Sequence, residues 1–232
     1  MSGRLAALGR RWGLDAAQVD RLARVLGVLA ADAQAPSAVR DAAAIDVHVA
    51  DSLSGLALDC VRDARAIADL GSGAGFPGVV LAIALPAARV ALVESAARKC
   101  AFLRRLCAEA EIANAEVVNA RAEEWRAGLQ VNDLVVTRAL AALPVLCEYA
   151  APLLVDGGSL VAWKGAVAPD EAAAGERAAA VLGMGADRTV RAAPYAGSVA
   201  HQFFVYRKLA PTPPGFPRRA GVARRRPLGT AD

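Results

Sequence analysis

The stretch Asp69-Leu-Gly71-Ser-Gly73-Ala-Gly75-Phe76-Pro77-Gly78 decides the fold of this 232-residue chain. It follows a short apolar run at 66–70 and opens a helical pattern near 77–85. Glycines at alternate positions let the backbone turn sharply and approach a ligand without a Cβ in the way. A strand, a glycine loop and a helix in this order predict a nucleotide-like ligand at the carboxyl end of a parallel sheet.

The rest of the chain repeats the alternation of strand and helix. Apolar runs typical of strands lie at 66–70, 90–93, 117–118, 134–136 and 160–163, and helical stretches lie near 77–85, 96–110, 141–154 and 170–182. This rhythm predicts a doubly wound α/β fold, in which a parallel sheet is covered on both faces. Two further runs, at 187–192 and 203–206, have no helix between them, so we expect them to form an antiparallel hairpin.

Both ends of the chain lie outside this pattern. Apolar residues at three- and four-residue spacing predict an amphipathic helix over 14–33, where Asp15 and Gln18 resemble a capping box. A less regular helical region follows, to about residue 58. We therefore divide the chain into an N-terminal helical extension packed on the core (1–60), an α/β domain (61–208) and a basic tail rich in Pro and Gly (209–232).

The basic charge is concentrated in this tail and in the two residues before it, Arg207 and Lys208. The chain has a net charge of +4, but residues 207–232 alone carry +6 and the remainder carries −2. Such a segment points to a polyanion, and RNA or DNA is favoured over anionic lipid because no amphipathic apolar face accompanies the charge. The alternative is a solvated end without a partner. The candidate contacts are Arg218, Arg219, Arg224 and Arg225.

Several classes of protein are disfavoured by the sequence. The longest nearly uncharged apolar stretch, 78–85, is far shorter than the roughly 20 residues of a membrane-spanning helix. The first residues lack the apolar region and cleavage site of a secretory signal, so we expect a cytosolic protein with no membrane contact. The four cysteines form no C-x-x-C pair, so neither a metal site nor a disulfide framework is expected.

Acidic residues near the glycine loop indicate which cofactor binds. Glu94, at the end of the second strand, is placed to hold a ribose, which suits a nicotinamide cofactor or S-adenosylmethionine equally. Asp69 favours the second, since an anion there repels a pyrophosphate but suits the positively charged methionyl end. Ala122 and Glu123, after the third strand, are placed to meet an adenine edge. Ser95 is the expected N-cap of the following helix.

From about Val39 to Leu228 the chain resembles the bacterial GidB (RsmG) family, the guanine-N7 methyltransferases of the 16S RNA of the small ribosomal subunit. The phenylalanine-proline-glycine ending of the glycine loop and the preceding H-x-x-D-S are far more selective than a generic glycine fingerprint. The resemblance rests on His48-Val-Ala-Asp51-Ser52-Leu, Asp69 to Gly78, Glu94-Ser95, Arg121-Ala-Glu123-Glu, Asp133-Leu-Val-Val-Thr-Arg138-Ala, Trp163-Lys164-Gly165 and Pro217-Arg218-Arg219-x-Gly221.

The resemblance implies a class I S-adenosylmethionine-dependent methyltransferase fold, Rossmann-like, with seven strands of which the last is antiparallel. It also implies that the substrate is N7 of guanine 527 in 16S RNA and that the partner is the small ribosomal subunit. We expect the protein to act as a monomer. The cofactor contacts that it implies are Gly71, Phe76, Ala122, Glu123 and Arg138, beside Asp69, Gly73, Gly75 and Glu94 from the reasoning above. The alternatives are a methyltransferase of other RNA, DNA or protein, and a non-catalytic ribosome-associated protein.

Guanine N7 carries a free lone pair, so its methylation needs no general base, and none is evident in the sequence. We therefore expect Arg138 and Lys164, each just past a strand end, to position the substrate by contacting RNA phosphate or guanine O6. His48, Asp51 and Ser52 either contact the substrate or hydrogen-bond to the next segment.

The sequence departs from the family at two places. Residues 30–41 keep a hydroxyl and V-R-D but lack the usual W-N and N-L-T, and His201-Gln202 stand where many members have arginine. Any role that those asparagines or that arginine carry in the family is therefore in doubt for this chain.

Overall fold

Seven strands form one mixed sheet in the computed structural model of the protein, which describes residues 2–230. The order across the sheet is β3-β2-β1-β4-β5-β7-β6. The strands are β1 (Ala66–Leu70), β2 (Arg89–Glu94), β3 (Ala115–Asn119), β4 (Asn132–Arg138), β5 (Leu154–Lys164), β6 (Met184–Ala192) and β7 (His201–Lys208).

The sheet has the predicted mixed topology. Strands β1 to β5 pair in parallel, whereas β7 pairs antiparallel with both β5 and β6. The predicted hairpin is therefore confirmed, although β6 begins at Met184 rather than at residue 187. Because β1 lies at the centre, the loop that follows it meets the carboxyl ends of both β2 and β4.

Helices cover both faces of the sheet. A π-helical turn (Ile45–Ala50) runs directly into α3, and short 3₁₀ turns lie at Gly55–Ala57, Ala122–Glu124 and Arg126–Gly128. The α-helices are α1 (Ser2–Trp12), α2 (Ala16–Ala31), α3 (Asp51–Ser54), α4 (Asp59–Arg62), α5 (Gly78–Ala84), α6 (Ala97–Glu109), α7 (Leu143–Ala150), α8 (Pro169–Val181) and α9 (Val222–Arg225). None of them is long and apolar enough to cross a membrane, over residues 2–230.

Of two predicted helix caps, one is confirmed. The Asp15 side chain accepts the Gln18 N–H at 2.7 Å, and the Gln18 side chain accepts the Asp15 N–H at 2.8 Å, which completes the capping box of α2. The prediction of Ser95 as the N-cap of α6 is wrong, because Ala96 occupies that position. Among the residues that the structure describes, no side chain caps α6, but the buried Glu94 carboxylate accepts the N–H of Ala96 at 2.8 Å.

The N-terminal helices share their core with one face of the sheet. Leu22 of α2, Leu53 of α3 and Val79 of α5 are fully buried in one hydrophobic cluster with Ile67 of β1. Burial of such a side chain contributes roughly 1.5–3 kcal/mol. The segment that carries H-x-x-D-S is therefore fixed on the sheet by ordinary core packing.

The tail is packed on the opposite face of the sheet. Ala223 of α9 is buried in the cluster that contains Leu146 of α7 and Ala178 of α8, and Phe216 and Leu228 pack against it. Apart from α9 the tail is irregular, as its Pro and Gly content predicts. It nevertheless belongs to the folded body, which its charge and composition do not reveal.

Candidate active site

The carboxyl ends of the parallel strands open into two cavities that share Ala139. The first, of about 410 Å³, is called the loop cavity, and the second, of about 280 Å³, is called the arginine cavity. The loop cavity is lined by Gly71, Val93, Glu94, Ser95, Lys99, Ala120, Arg121, Ala122, Glu123, Ala139, Leu140, Tyr149 and Arg224. The arginine cavity is lined by Asp51, Arg138, Ala139, Trp163, Lys164, Gly165, Ala166, His201, Gln202 and Phe203.

The glycine loop turns as the sequence predicts. Gly71, Gly73 and Gly75 have φ of +70°, +57° and +100°, a backbone conformation that residues other than glycine rarely adopt. Gly71 lines the loop cavity, whereas a Cβ at Gly75 would meet the Val79 side chain at 2.7 Å. The loop therefore needs glycine for its turns and also for close packing against α5.

Asp69 lies behind the loop rather than at the wall of either cavity. It is 1% exposed, and its Oδ2 accepts the Gly78 N–H at 3.0 Å, which holds the start of α5. Its Oδ1 is buried with no hydrogen-bond partner in the described part of the chain. Burial raises the pKa of this carboxyl to about 7. The geometry thus gives Asp69 a role in shaping the loop, where the sequence led us to expect contact with the cofactor.

Glu94 joins the loop to the cavity wall. Its buried carboxylate accepts the Gly73 N–H at 3.2 Å through Oε2, in addition to the Ala96 N–H. Lys99 Nζ lies 3.8 Å from the same Oε2 and also lines the cavity. A carboxylate has about four acceptor sites, so Glu94 retains capacity for a ligand hydroxyl.

Glu123 is the second buried carboxylate at the loop cavity. It is 8% exposed, and its Oε1 accepts the backbone N–H of Gly221 in the tail at 3.0 Å. Ala122 lies beside it on the same cavity wall. Both residues predicted to meet an adenine edge therefore face the cavity, and one of them is held by a segment 98 residues away.

Arg138 is the centre of the second cavity. Its Nη1 donates to Val47 O at 2.9 Å and to Asp51 Oδ2 at 2.8 Å, and its Nη2 lies 3.0 Å from His48 Nδ1. The guanidinium carbon stands 5.6 Å from the centre of the Phe76 ring. The guanidinium is thus fixed by groups from the N-terminal extension and the glycine loop, and two of its five N–H groups remain available.

His48 is held neutral beside this arginine. Burial, and secondarily the Arg138 charge, lower its pKa to about 4. Because an arginine can only donate, Nδ1 must accept and Nε2 must carry the hydrogen, which faces Ser37 Oγ at 2.9 Å and Val39 O at 3.1 Å. The imidazole stacks on Phe76 at 4.4 Å between ring centres. Ser37, the hydroxyl retained where both asparagines of the family pattern are missing, therefore supports His48.

Asp51 connects the wall of the arginine cavity to β5 and β7. Its Oδ1 lies 3.0 Å from His201 Nδ1, and its backbone oxygen accepts the indole N–H of Trp163 at 3.1 Å. Ser52 is fully buried and donates to His48 O at 2.6 Å. His48, Asp51 and Ser52 thus make hydrogen bonds within the protein, which is one of the two roles expected of them from the sequence. Their contact with RNA stays a prediction.

Lys164 borders the arginine cavity with its ammonium already oriented. Its Nζ lies 2.8 Å from Glu171 Oε1 and donates to Ala141 O at 3.2 Å. The same Glu171 oxygen accepts the Leu143 N–H at 3.1 Å, at the start of α7. The lysine therefore belongs to a fixed network and not to a free strand end.

The four tail arginines predicted to bind RNA fall into two pairs. Arg218 forms a bidentate pair with Glu148, which is 1% exposed, and its Nε–Oε1 distance is 2.7 Å. Arg224 donates to Leu140 O at 3.0 Å and lines the loop cavity. Arg219 and Arg225 are exposed, as Arg224 is, but neither of them lines the loop cavity. That second pair is therefore the one expected to contact phosphate.

Ala139, the residue common to both cavities, has φ of +55°. This left-handed conformation costs a non-glycine residue roughly 1–2 kcal/mol. Strained backbone of this kind clusters at ligand sites, where the surrounding structure holds it in place. Here it turns the chain sharply after Arg138, so that successive residues face different cavities.

Solved structures of methyltransferases share the fold. The S-adenosylmethionine-dependent methyltransferase SibL, in its apo form, aligns with a TM-score of 0.55 at 16% identity, covering 68% of this chain and 55% of that one. A mutant of the 16S rRNA (adenine(1408)-N(1))-methyltransferase from Catenulisporales acidiphilia aligns with a TM-score of 0.54 at 16% identity, covering 66% of this chain and 90% of that one. At these identities the likeness establishes the class I methyltransferase fold alone.

Sequence relatives are closer. The family model of rRNA small subunit methyltransferase G, GidB, matches residues 35–194. Proteins named ribosomal RNA small subunit methyltransferase G are 42% identical in Rubrobacter xylanophilus, over 78% of this chain and 72% of that protein, and 41% identical in Chloroflexus aggregans, over 83% and 82%. The chain belongs to the rRNA small subunit methyltransferase G family, as its glycine loop and H-x-x-D-S segment indicate.

Proposed function

We propose that this enzyme transfers a methyl group from S-adenosylmethionine to N7 of guanine 527 in the 16S RNA of the small ribosomal subunit. The observation that carries the proposal is the meeting of the two cavities at Ala139. A cofactor in the loop cavity and a base in the arginine cavity would meet there. Such a substrate would place the enzyme in the cytosol.

The residues of the loop cavity fit S-adenosylmethionine. Glu94 and Glu123 are buried carboxylates with spare acceptor capacity, which suits ribose hydroxyls and an adenine amine. Gly71 presents backbone rather than a side chain to the same space. When bound, the cofactor supplies an electrophilic methyl on a sulfonium. Asp69 would act behind the loop, through its hydrogen bond to Gly78, and not by contact.

The arginine cavity would position the base. Guanine N7 attacks through its in-plane lone pair, so no residue of the chain needs to remove a proton beforehand. Arg138 retains free N–H groups and Lys164 keeps its ammonium at the rim, and both suit guanine O6 or a flanking phosphate. Transfer moves one positive charge and creates none, so alignment is the main contribution expected of these residues.

Contact with the remainder of the RNA would fall to exposed cations. Arg219 and Arg225 extend from the packed tail into solvent. Aromatic residues make up only 5% of the chain, so base stacking has few partners, and recognition would rest on phosphate contacts and on the shape of a folded RNA loop.

The decisive experiment uses small subunits from cells that lack the protein. These are incubated with the enzyme and S-adenosylmethionine labelled in the methyl group, and the modified nucleotide is mapped. We expect label at N7 of guanine 527. Label in transfer RNA, protein or another nucleotide would overturn the proposal.

Lys164→Met tests the division between the two cavities. Loss of a charge-assisted hydrogen bond predicts a fall in turnover of roughly tenfold or more, with the dissociation constant for S-adenosylmethionine within about twofold of the parent. Arg207→Met is the control, since Arg207 is an exposed cation at the opposite edge of the sheet. Near-normal turnover of Lys164→Met would remove the lysine from the mechanism.

A further inference from the structure

We propose that the tail forms one wall of the cofactor site and that Arg224 contacts the adenosine half of the cofactor. The inference rests on the proposed use of S-adenosylmethionine. It gives part of the basic tail, whose charge pointed only to a nucleic-acid partner, a role in nucleoside binding.

The first support is the anchoring of the tail. The buried carboxylate of Glu148 accepts hydrogen bonds from both Nε and Nη2 of Arg218, and Arg218 Nη2 also donates to Arg226 O at 2.9 Å. Further along, Gly229 O accepts from Arg177 Nε of α8 at 2.7 Å. A tail held before and after α9 can present side chains at fixed positions, as a binding wall must.

The second support is the contact between the tail and Glu123. The Gly221 N–H approaches Glu123 Oε1 at 3.0 Å, and it does so from the left-handed conformation, with φ of +78°. This bond fixes the orientation of a carboxylate that is 8% exposed at the cavity wall. Gly221 is therefore a positioning residue for the adenine-facing acid.

The third support is the position of Arg224 itself. Its guanidinium donates to Leu140 O at 3.0 Å, so the side chain lies across the cavity from α9 to the loop after β4. Tyr149 lines the same cavity, and burial raises the pKa of its phenol while a hydrogen bond from Arg224 opposes the rise. The guanidinium has five N–H groups, more than Leu140 and Tyr149 take up, and adenine offers ring nitrogens that accept the others.

The same wall also carries Ala122 and Glu123, which defines the end of the cofactor that Arg224 faces. Gly221, three residues before Arg224, donates to Glu123, whereas the glycine loop donates to Glu94 through Gly73. We therefore assign the arginine to the adenosine and not to the methionyl carboxylate. Two ligands separate these possibilities. S-adenosylmethionine contains both the adenosine and the methionyl end, whereas 5′-methylthioadenosine lacks the amino and carboxylate groups of the methionyl end.

The test compares Arg224→Ala with Arg225→Ala by calorimetry. The two substitutions remove the same charge from the same short helix, and both side chains are exposed, so neither should unfold the protein. We expect Arg224→Ala to weaken binding of both ligands about tenfold, and Arg225→Ala to change neither by more than about twofold.

Equal effects of the two substitutions, or no effect of Arg224→Ala, would overturn the inference. A loss confined to S-adenosylmethionine would also overturn it, since the arginine would then pair with the carboxylate. If Arg224→Ala weakens both ligands but the parent enzyme does not label guanine 527, the inference stands and the proposed substrate fails.

Discussion

Replacement of Asp51 by asparagine tests whether the buried pair of Asp51 and Arg138 contributes more to the stability of the protein than an exposed ion pair does. Asp51 is 3% exposed and accepts from Arg138 at 2.8 Å, and its other oxygen faces His201 at 3.0 Å. Asparagine keeps the volume, but it loses the charge and turns an amide N–H₂ towards one of two donors. The loss of hydrogen bonds to a charged group costs about 2–3 kcal/mol.

For a chain of this length, each kcal/mol lowers Tm by roughly 2–4 °C, so we expect Asp51→Asn to lower Tm by about 4–12 °C. The matched control is Asp46→Asn, in the π-helical turn that runs directly into Asp51 at the start of α3. Asp46 pairs with Arg4 at 2.8 Å, but both side chains are about 40% exposed, and such pairs contribute at most about 1 kcal/mol.

Both variants are measured by thermal unfolding and by urea titration. Adding Arg138→Gln completes a double-mutant cycle, which should give a coupling free energy of about 2 kcal/mol between Asp51 and Arg138. Equal losses for Asp51→Asn and Asp46→Asn, together with a coupling near zero, would show that the pair does not fix Arg138. The hydrogen bonds around Arg138 in the arginine cavity would then contribute nothing measurable to the free energy of unfolding.

Two further predictions concern the same region. The pKa of His48 is about 4 in the folded protein against 6.5 in the unfolded chain, so its contribution to stability is complete above pH 6.5 and is lost as the pH falls towards 4. His48→Gln should therefore flatten the decline of the urea unfolding midpoint between pH 6.5 and 4. An unchanged slope would show that other groups cause this decline. In Gly73→Ala the new Cβ would meet only Gly71 O, at an ordinary contact distance of 3.6 Å, so this substitution should cost about 1 kcal/mol in urea unfolding. Gly75→Ala, at φ +100° and against Val79, should cost roughly 3 kcal/mol or more, and a reversed order would contradict the packing described for the loop.

Features built from neighbours in the chain were predictable. The capping box joins Asp15 and Gln18, three residues apart, and the glycine loop depends on backbone angles that only its own residues set. The β6–β7 hairpin followed from the missing helix between two apolar runs. In each of these cases the signal and the structure lie in the same short window.

Features built from distant segments were not predictable from residue types alone. The side chain of Asp69 looked like a cofactor ligand, but its burial depends on how α5 packs over β1. Arg224 looked like a phosphate contact, and its bond to Leu140 spans 84 positions. No local pattern indicates that a basic, proline-rich segment will find a buried partner such as Glu148. The charge of the tail is visible in the sequence, but the contacts that its individual arginines make depend on tertiary packing.

The bonds that complete the two cavities join residues far apart along the chain. Glu123 meets Gly221 across 98 positions, and Asp51 meets His201 across 150. Contacts of such high sequence separation form late and slow folding, because the intervening chain must first lose its entropy. On a translating ribosome, the glycine loop would emerge long before the residues that close the space above it. Ligand binding should therefore be among the last properties that a newly synthesised chain acquires.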